Sequence, residues 1–246
     1  MAVRSSATAF SNTGSVTLTA TPAGVAVDDR LLGFFVQDST GHVSAKPTGW
    51  TDESLQEQSG PDGQTFDLYS KKAVGGDSFA TGVVVDANSC RFTTAAWSGR
   101  HTVTAITLNT AQKNTSTASA MTLSTANATS GTFGVTSAAG DDVVVFAQVD
   151  KITISDVWGF DNNLSGFTED HDDDNDWLTA SLYYKNNAAG GGDGSLSLSA
   201  TRSTGASNAG WGAFVVAIKP LAAVGGPGAS FIRLNNGTRK FGGITA

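Results

Sequence analysis

The chain has 246 residues, of which 39% are hydrophobic, and a formal net charge of −7 from 15 Lys and Arg against 22 Asp and Glu. It contains only three glutamates and is rich in glycine, which argues against a helical protein. The acidic balance argues against nucleic-acid binding, because phosphate contacts need a basic face. With one cysteine no intrachain disulfide can form, and we expect assembly in a reducing cytoplasm without a signal peptide or membrane insertion.

Short apolar or alternating runs, separated by clusters of Gly, Asn, Asp and Ser, recur along the whole chain and predict β-strands. The run at 31–36 is apolar without interruption, as expected for a strand that is buried on both faces. No window shows the 3.6-residue period of an amphipathic helix. The predicted strands are 16–19, 31–36, 66–69, 83–85, 92–97, 143–149, 152–154, 178–184, 196–200 and 212–218. We therefore predict an all-β fold, an antiparallel β-sandwich.

An internal repeat divides this sandwich. Residues 28–38 resemble residues 141–150 at an offset of 113, and residues 66–77 resemble residues 180–193, with the Leu-Tyr pairs offset by 114. The repeat predicts half-units of about 1–110 and 111–220, which either share one core or form two small sandwiches side by side. We favour the shared core, because the apolar runs need cover on both faces.

Beyond Pro220 the composition changes. Residues 221–228 are small residues, Gly and Pro, which indicates a linker. Residues 229–246 carry three positive charges and no acid, and Asn236-Gly237 favours a short hairpin. We predict a docking tail that adds strands to a partner or to neighbouring copies, and the alternative is that it folds back on the acidic body of its own chain. The predicted interface residues are Phe231, Ile232, Arg233, Leu234, Arg239, Lys240 and Phe241.

Five segments carry a family resemblance: Asp28 to Leu32, Pro47 to Trp50, Leu68 to Lys71, Ala95 to Gly99 and Val216 to Pro220. Together they resemble a jelly-roll, concanavalin-like β-sandwich family that is common in bacteriophage virion proteins and bacterial surface proteins. The resemblance covers about residues 1–220 and marks turns and core strands.

The resemblance implies a non-enzymatic virion component, a minor tail or fibre-associated adhesion protein, assembled as a homo-oligomer with other virion proteins. Head decoration is the runner-up, and an extracellular carbohydrate-binding module and a hydrolase are the further alternatives. A host-surface glycan is the expected outside ligand of an adhesion protein.

The acid run, Glu169 to Asp176, is the one metal-like pattern. Asp170, Asp172, Asp174 and Asp176 fall at positions 1, 3, 5 and 7 of a calcium loop, but position 12 is Ser181 where a bidentate Glu is expected. The alternative is a solvated acidic loop tip. No other cofactor is expected.

Aromatic residues near predicted loops form the second candidate site. Trp50, Trp158 and Trp177 are candidates for stacking on a host glycan. The alternative is a structural plug at the ends of the sandwich, because Gly49-Trp50 and Gly166-Phe167 are equivalent in the repeat.

No motif of catalysis is present. The chain lacks a nucleophile elbow, a P-loop and a zinc-protease helix motif. Glu53 and Glu57 are the nearest approach to a glycosidase carboxylate pair, with a spacing that puts both on one face of a strand. The three histidines are scattered, so we assign no catalytic residue.

Overall fold

A computed structural model gives the arrangement of most of the chain. It describes residues 3–12, 16–37, 46–58, 64–82, 89–100, 107–108, 112–116, 119–126, 132–151, 155–161, 163–174, 178–186, 189–191, 193–204 and 209–221. Within these ranges the regular secondary structure consists of β-strands. The described residues contain no helix that is long and apolar enough to cross a membrane. The all-β prediction is confirmed. The linker and tail, apart from Leu221, lie outside the described residues.

The strands fall into three antiparallel sheets. In chain order they are β1 Val3–Ser11, β2 Arg30–Gln37, β3 Thr51–Gln58, β4 Gln64–Lys72, β5 Cys90–Trp97, β6 Thr107–Leu108, β7 Gln112–Ser116, β8 Ala120–Ser124, β9 Asp142–Lys151, β10 Val157–Asp161, β11 Thr168–Asp174, β12 Leu178–Lys185, β13 Ser197–Thr204 and β14 Ala209–Ile218. The front sheet has the order β1-β5-β2-β4-β3, and the middle sheet has the order β11-β12-β9-β14-β6, with β7 also on β14. The back sheet has the order β10-β13-β8.

The main core lies between the front and middle sheets. Its centre is the contact of Phe34 in β2 with Phe146 in β9, whose ring centroids are 5.0 Å apart. Phe66 packs so closely on β14 that a Cβ at Gly212 would lie 2.5 Å from its ring. The two sheets thus bury a shared apolar layer, in which contact between well-matched side chains stabilises the sandwich.

Two further apolar layers cover the outer faces. Side chains of β8, β10 and β13 pack on the middle sheet around Trp158 and Trp211. The outer face of the front sheet is covered by segments 16–20 and 79–81, which an isolated bridge joins at Thr19 and Ala80. The middle sheet is therefore buried on both faces, which is why β9 and β14 are almost continuously apolar.

The two halves of the chain use the same turn before their central strand. In each, an aspartate carboxylate accepts a hydrogen bond of 2.8 Å from the backbone N–H three residues earlier, Asp29 from Ala26 and Asp141 from Ala138. The registers pair Phe34 with Leu68 and Phe146 with Leu182, so Phe34 corresponds to Phe146, 112 residues later. The letter-by-letter offset of 113 is therefore one residue too long. Superposition of the complete half-units stays a prediction, as does the jelly-roll assignment.

Most predicted central strands are confirmed. Runs 31–36, 66–69, 92–97, 143–149, 178–184 and 212–218 lie within β2, β4, β5, β9, β12 and β14, run 196–200 overlaps β13, and 83–85 and 152–154 lie outside the described residues. Run 16–19 forms only bridges at its ends. The acidic loop tip is wrong, because residues 168–174 form strand β11 at the edge of the middle sheet.

Candidate functional site: an acidic seam at the sheet edges

Strand β11 forms one side of a seam where the three sheets meet. A register shift between Glu169 and His171 turns the strand there. Beyond it, successive side chains point to opposite faces of the sheet. The acids of β11 therefore face the front sheet and the back sheet in turn, and we call this strand with its contacts the acidic seam.

Two acids join the seam to the front sheet. Asp170 accepts a hydrogen bond from the Ser6 hydroxyl in β1. Asp173 is held by Arg91 of β5, whose guanidinium also donates to the Asp173 carbonyl at 3.1 Å. The Arg91 side chain is only 2% exposed. A buried cation needs such a partner, so Asp173 is part of the packing between the sheets.

Two other acids join the seam to the back sheet. Asp172 accepts from the backbone N–H of Phe160 at 3.2 Å, and Asp174 lies 3.5 Å from that of Trp158. Both donors belong to β10 and are two residues apart, as are the two acids. Asp174 also binds the buried ammonium of Lys151 at 3.0 Å. The Asp-x-Asp spacing thus matches the spacing of backbone donors along the free edge of β10.

Asp172 has an unusual acidity. Burial of its carboxyl group, together with the charges of Glu169, Asp173 and Asp174, raises its pKa to about 6. The hydrogen bond from Phe160 opposes this shift and does not cancel it. The seam therefore changes its charge between pH 5 and 7.

A pocket of about 350 Å³ opens where β1 and β11 diverge. It is lined by Thr8, Phe10 and the three acids Asp172 to Asp174. Phe10 is 48% exposed, although its β1 neighbours at 6 and 8 make contacts inside the fold. An open aromatic ring beside carboxylates suits a cationic side chain or a polyol, since the ring offers an apolar face and the carboxylates accept hydrogen bonds.

Ser6, His171 and Asp170 come together but do not form a catalytic triad. The hydroxyl of Ser6 is 2.7 Å from His171 Nε2, and the Asp170 carboxylate contacts this same nitrogen at 3.3 Å. A triad needs the carboxylate on the other ring nitrogen, so that it orients the imidazole toward the nucleophile. The group instead links β1 to β11.

Of the two candidate glycosidase carboxylates, the structure describes the surroundings of Glu53 alone. The pairing register of β3 shifts between Asp52 and Ser54, so Glu53 lies at a bulge of the strand. Glu53 is bonded to Ser70 and pairs with Arg30 at 3.4 Å. The side chain of Glu57 lies outside the described residues.

The calcium candidates lie on a strand. Asp170, Asp172 and Asp174 each accept a hydrogen bond from a protein donor, and Asp176 lies outside the described residues. Among the described residues no group of three or more His, Cys, Asp or Glu can hold a metal ion. The calcium-loop geometry is therefore wrong for residues 168–174, since a strand does not wrap an ion.

The described candidate aromatics are buried. Trp50 is 4% exposed, and its indole donates to the Ser78 carbonyl at 2.9 Å. Trp158 is 1% exposed, with the Arg202 guanidinium 5.6 Å from its ring centre. Neither ring offers a face to a sugar, which contradicts their assignment as glycan contacts. Trp177 and the tail residues 231–241 lie outside the described residues.

Sequence reasoning missed Ser6, Phe10, Arg91 and Lys151. They lie far from the acid run in sequence and belong to no motif. The usable signal was the Asp-x-Asp alternation, which is typical of an edge strand with two bonded faces as well as of a calcium loop. Comparisons of the chain with protein-family models, with curated proteins and with solved structures give no match.

Proposed function

We propose that the protein is a non-enzymatic structural and adhesion component of a bacteriophage particle, most simply a minor tail or fibre-associated protein. This proposal rests on the contacts made by the hydroxyl, imidazole and carboxylate side chains of the acidic seam. The Ser6–His171–Asp170 group and Asp172 to Asp174 form hydrogen bonds between the sheets. Such contacts suit a structural protein that binds to other particle components.

The layered body supports the same role. Three sheets enclose apolar layers on both faces of the middle sheet, and a buried bidentate pair of Arg100 with Asp142 ties the Gly99 turn to β9. After Leu221 the sequence continues as a Gly- and Pro-rich linker and a basic tail. A layered β-sandwich that is followed by a linker and a basic tail is the arrangement expected of a component that docks through its tail.

Deletion of residues 225–246 tests the docking role. We expect the truncated chain to keep its melting temperature and to be lost from purified particles. A matched chain whose tail is replaced by a Gly/Ser sequence of equal length controls for length. Incorporation of the truncated chain at normal copy number would contradict the proposal.

Copy number separates the two virion alternatives. A few copies in each particle indicate a tail position, and hundreds indicate head decoration. The carbohydrate-binding alternative is favoured by one feature, the half-exposed Phe10 beside carboxylates. Glycan binding by the isolated chain that is lost in Phe10→Ala would favour it.

A further inference from the structure

The place where the tail leaves the body is distant from the acidic seam. The last pairs of β14 match Ile218 with Asp142, at the start of β9. Asp174, in contrast, is level with Trp211. Asp174 in β11 pairs with Thr179 in β12, Thr179 pairs with Val149 in β9, and Val149 pairs with Trp211 in β14. Tail exit and seam pocket therefore lie at opposite ends of the sandwich.

The distance can be estimated from the registers. Seven residues separate Trp211 from Ile218 along β14, about 23 Å at the rise of a strand, and Leu221 lies up to about 10 Å farther. Three sheet spacings from β14 to β11 add about 14 Å sideways. The seven linker residues 222–228 span at most about 25 Å when fully extended. The linker alone therefore does not bring the start of the tail to the pocket of its own chain, whereas a fully extended tail would reach it, so docking within one chain is the alternative that the association test has to separate.

Charge and chemistry of the two surfaces are complementary. The seam holds five acids on β11, and ion pairs with Arg91 and Lys151 serve only Asp173 and Asp174. Asp172 forms no ion pair in the part of the chain that the structure describes. The tail holds three cations, no acid and five large apolar residues. The exposed ring of Phe10 is an anchor for apolar side chains, and the carboxylates suit guanidinium groups.

We propose that the basic tail of one copy docks on the β1/β11 seam of a second copy, in a head-to-tail contact. This inference deepens the proposed docking role of the tail and rests on it. Because donor and acceptor surfaces differ and lie at opposite ends, the contact repeats from copy to copy and builds a ring or a filament. Among the described strands β11 is the last of the middle sheet, so its outer edge is a place where a further strand could be added.

Sedimentation velocity of the purified full-length chain tests the contact. We expect association that weakens with added salt, as for any interface that rests on exposed charges. The seam variant Phe10→Lys and the tail variant Arg239→Glu/Lys240→Glu should each weaken self-association about tenfold or more. Val27→Lys, at the tail-exit end and 61% exposed, is the matched control and should associate as the parent chain does.

Mixing the two variants is the decisive experiment. The seam variant still has a native tail, and the tail variant still has a native seam, so a mixture should form a two-copy complex that grows no further. A contact between identical surfaces would not be restored by mixing. Absence of a complex in the mixture, or undiminished association of either variant alone, would overturn the inference.

The outcomes also separate this inference from the proposed function. If the full-length chain stays monomeric while the truncated chain is lost from particles, the docking role stands and the tail has a different virion partner. A monomeric chain whose Phe10→Lys variant loses glycan binding would make the seam a glycan site and also overturn the inference. Normal incorporation of the truncated chain contradicts the docking role itself.

Discussion

Asp172→Asn isolates the effect on stability of one carboxyl group whose pKa is raised in the folded protein. The pKa of Asp172 is about 6 in the folded protein against an ordinary value of 3.8. The folded state therefore binds more protons between these values, and its favourable contribution is present below pH ~4 and lost as pH rises through 6. At neutral pH the ionised group destabilises the fold, and asparagine removes this charge while its carbonyl oxygen still accepts from Phe160.

The magnitude follows from the pKa difference. If fully expressed, it corresponds to ~3 kcal/mol, at about 1.4 kcal/mol for each pKa unit. The carboxyl group of Asp172 is partly buried, but the residue as a whole is exposed to solvent, so screening reduces the expected gain to about 1 kcal/mol. The variant should be more stable than the parent by this amount at pH 7.5, and the advantage should disappear at pH 4.

Urea denaturation at both pH values measures this difference. Asp161→Asn makes the same change of charge at an exposed position of β10, where the carboxylate accepts from the Thr201 hydroxyl at 3.1 Å. This control measures the effect of the same change of charge outside the cluster of acids. A pH-independent loss of stability in Asp172→Asn would refute the reasoning, because it would mean that the carboxylate stabilises the seam at every pH.

Three more outcomes are expected. Arg100→Met removes the buried guanidinium that pairs with the Asp142 carboxylate and should cost about 3–5 kcal/mol, which a thermal melt will show as a large drop in Tm; an unchanged Tm would contradict this. Gly212→Ala should lower stability by about 1–3 kcal/mol because its Cβ meets Phe66, and Phe66→Leu in the same chain should recover part of the loss. Millimolar calcium and chelator should leave Tm unchanged, since Asp170 and Asp172 to Asp174 are bonded to protein donors, whereas a reversible rise would revive the metal site.

The central strands could be predicted from the sequence because burial on both faces favours apolar residues along most of their length. Strands β2, β9 and β14 each contain a long apolar run, and each is an interior strand of its sheet. The strands that the sequence did not reveal, β1, β3, β6, β7, β8, β10 and β11, lie at sheet edges or, for β7, beside the end of β14. Edge strands face water and carry polar residues, so their composition resembles that of loops.

The sequence by itself therefore determined the all-β class, the central strands and the change to a basic tail after residue 220. Only the tertiary structure decided the acidic seam. Ser6 and Asp170 are 164 residues apart and Arg91 and Asp173 are 82 apart, and nothing local marks them as partners. The same Asp-x-Asp alternation occurs in a loop that coordinates a cation and in a strand whose carboxylates accept hydrogen bonds on both faces of a sheet. Residues 168–174 form a strand because β12 pairs with their backbone. The carboxylates accept hydrogen bonds from β10, Arg91 and Lys151.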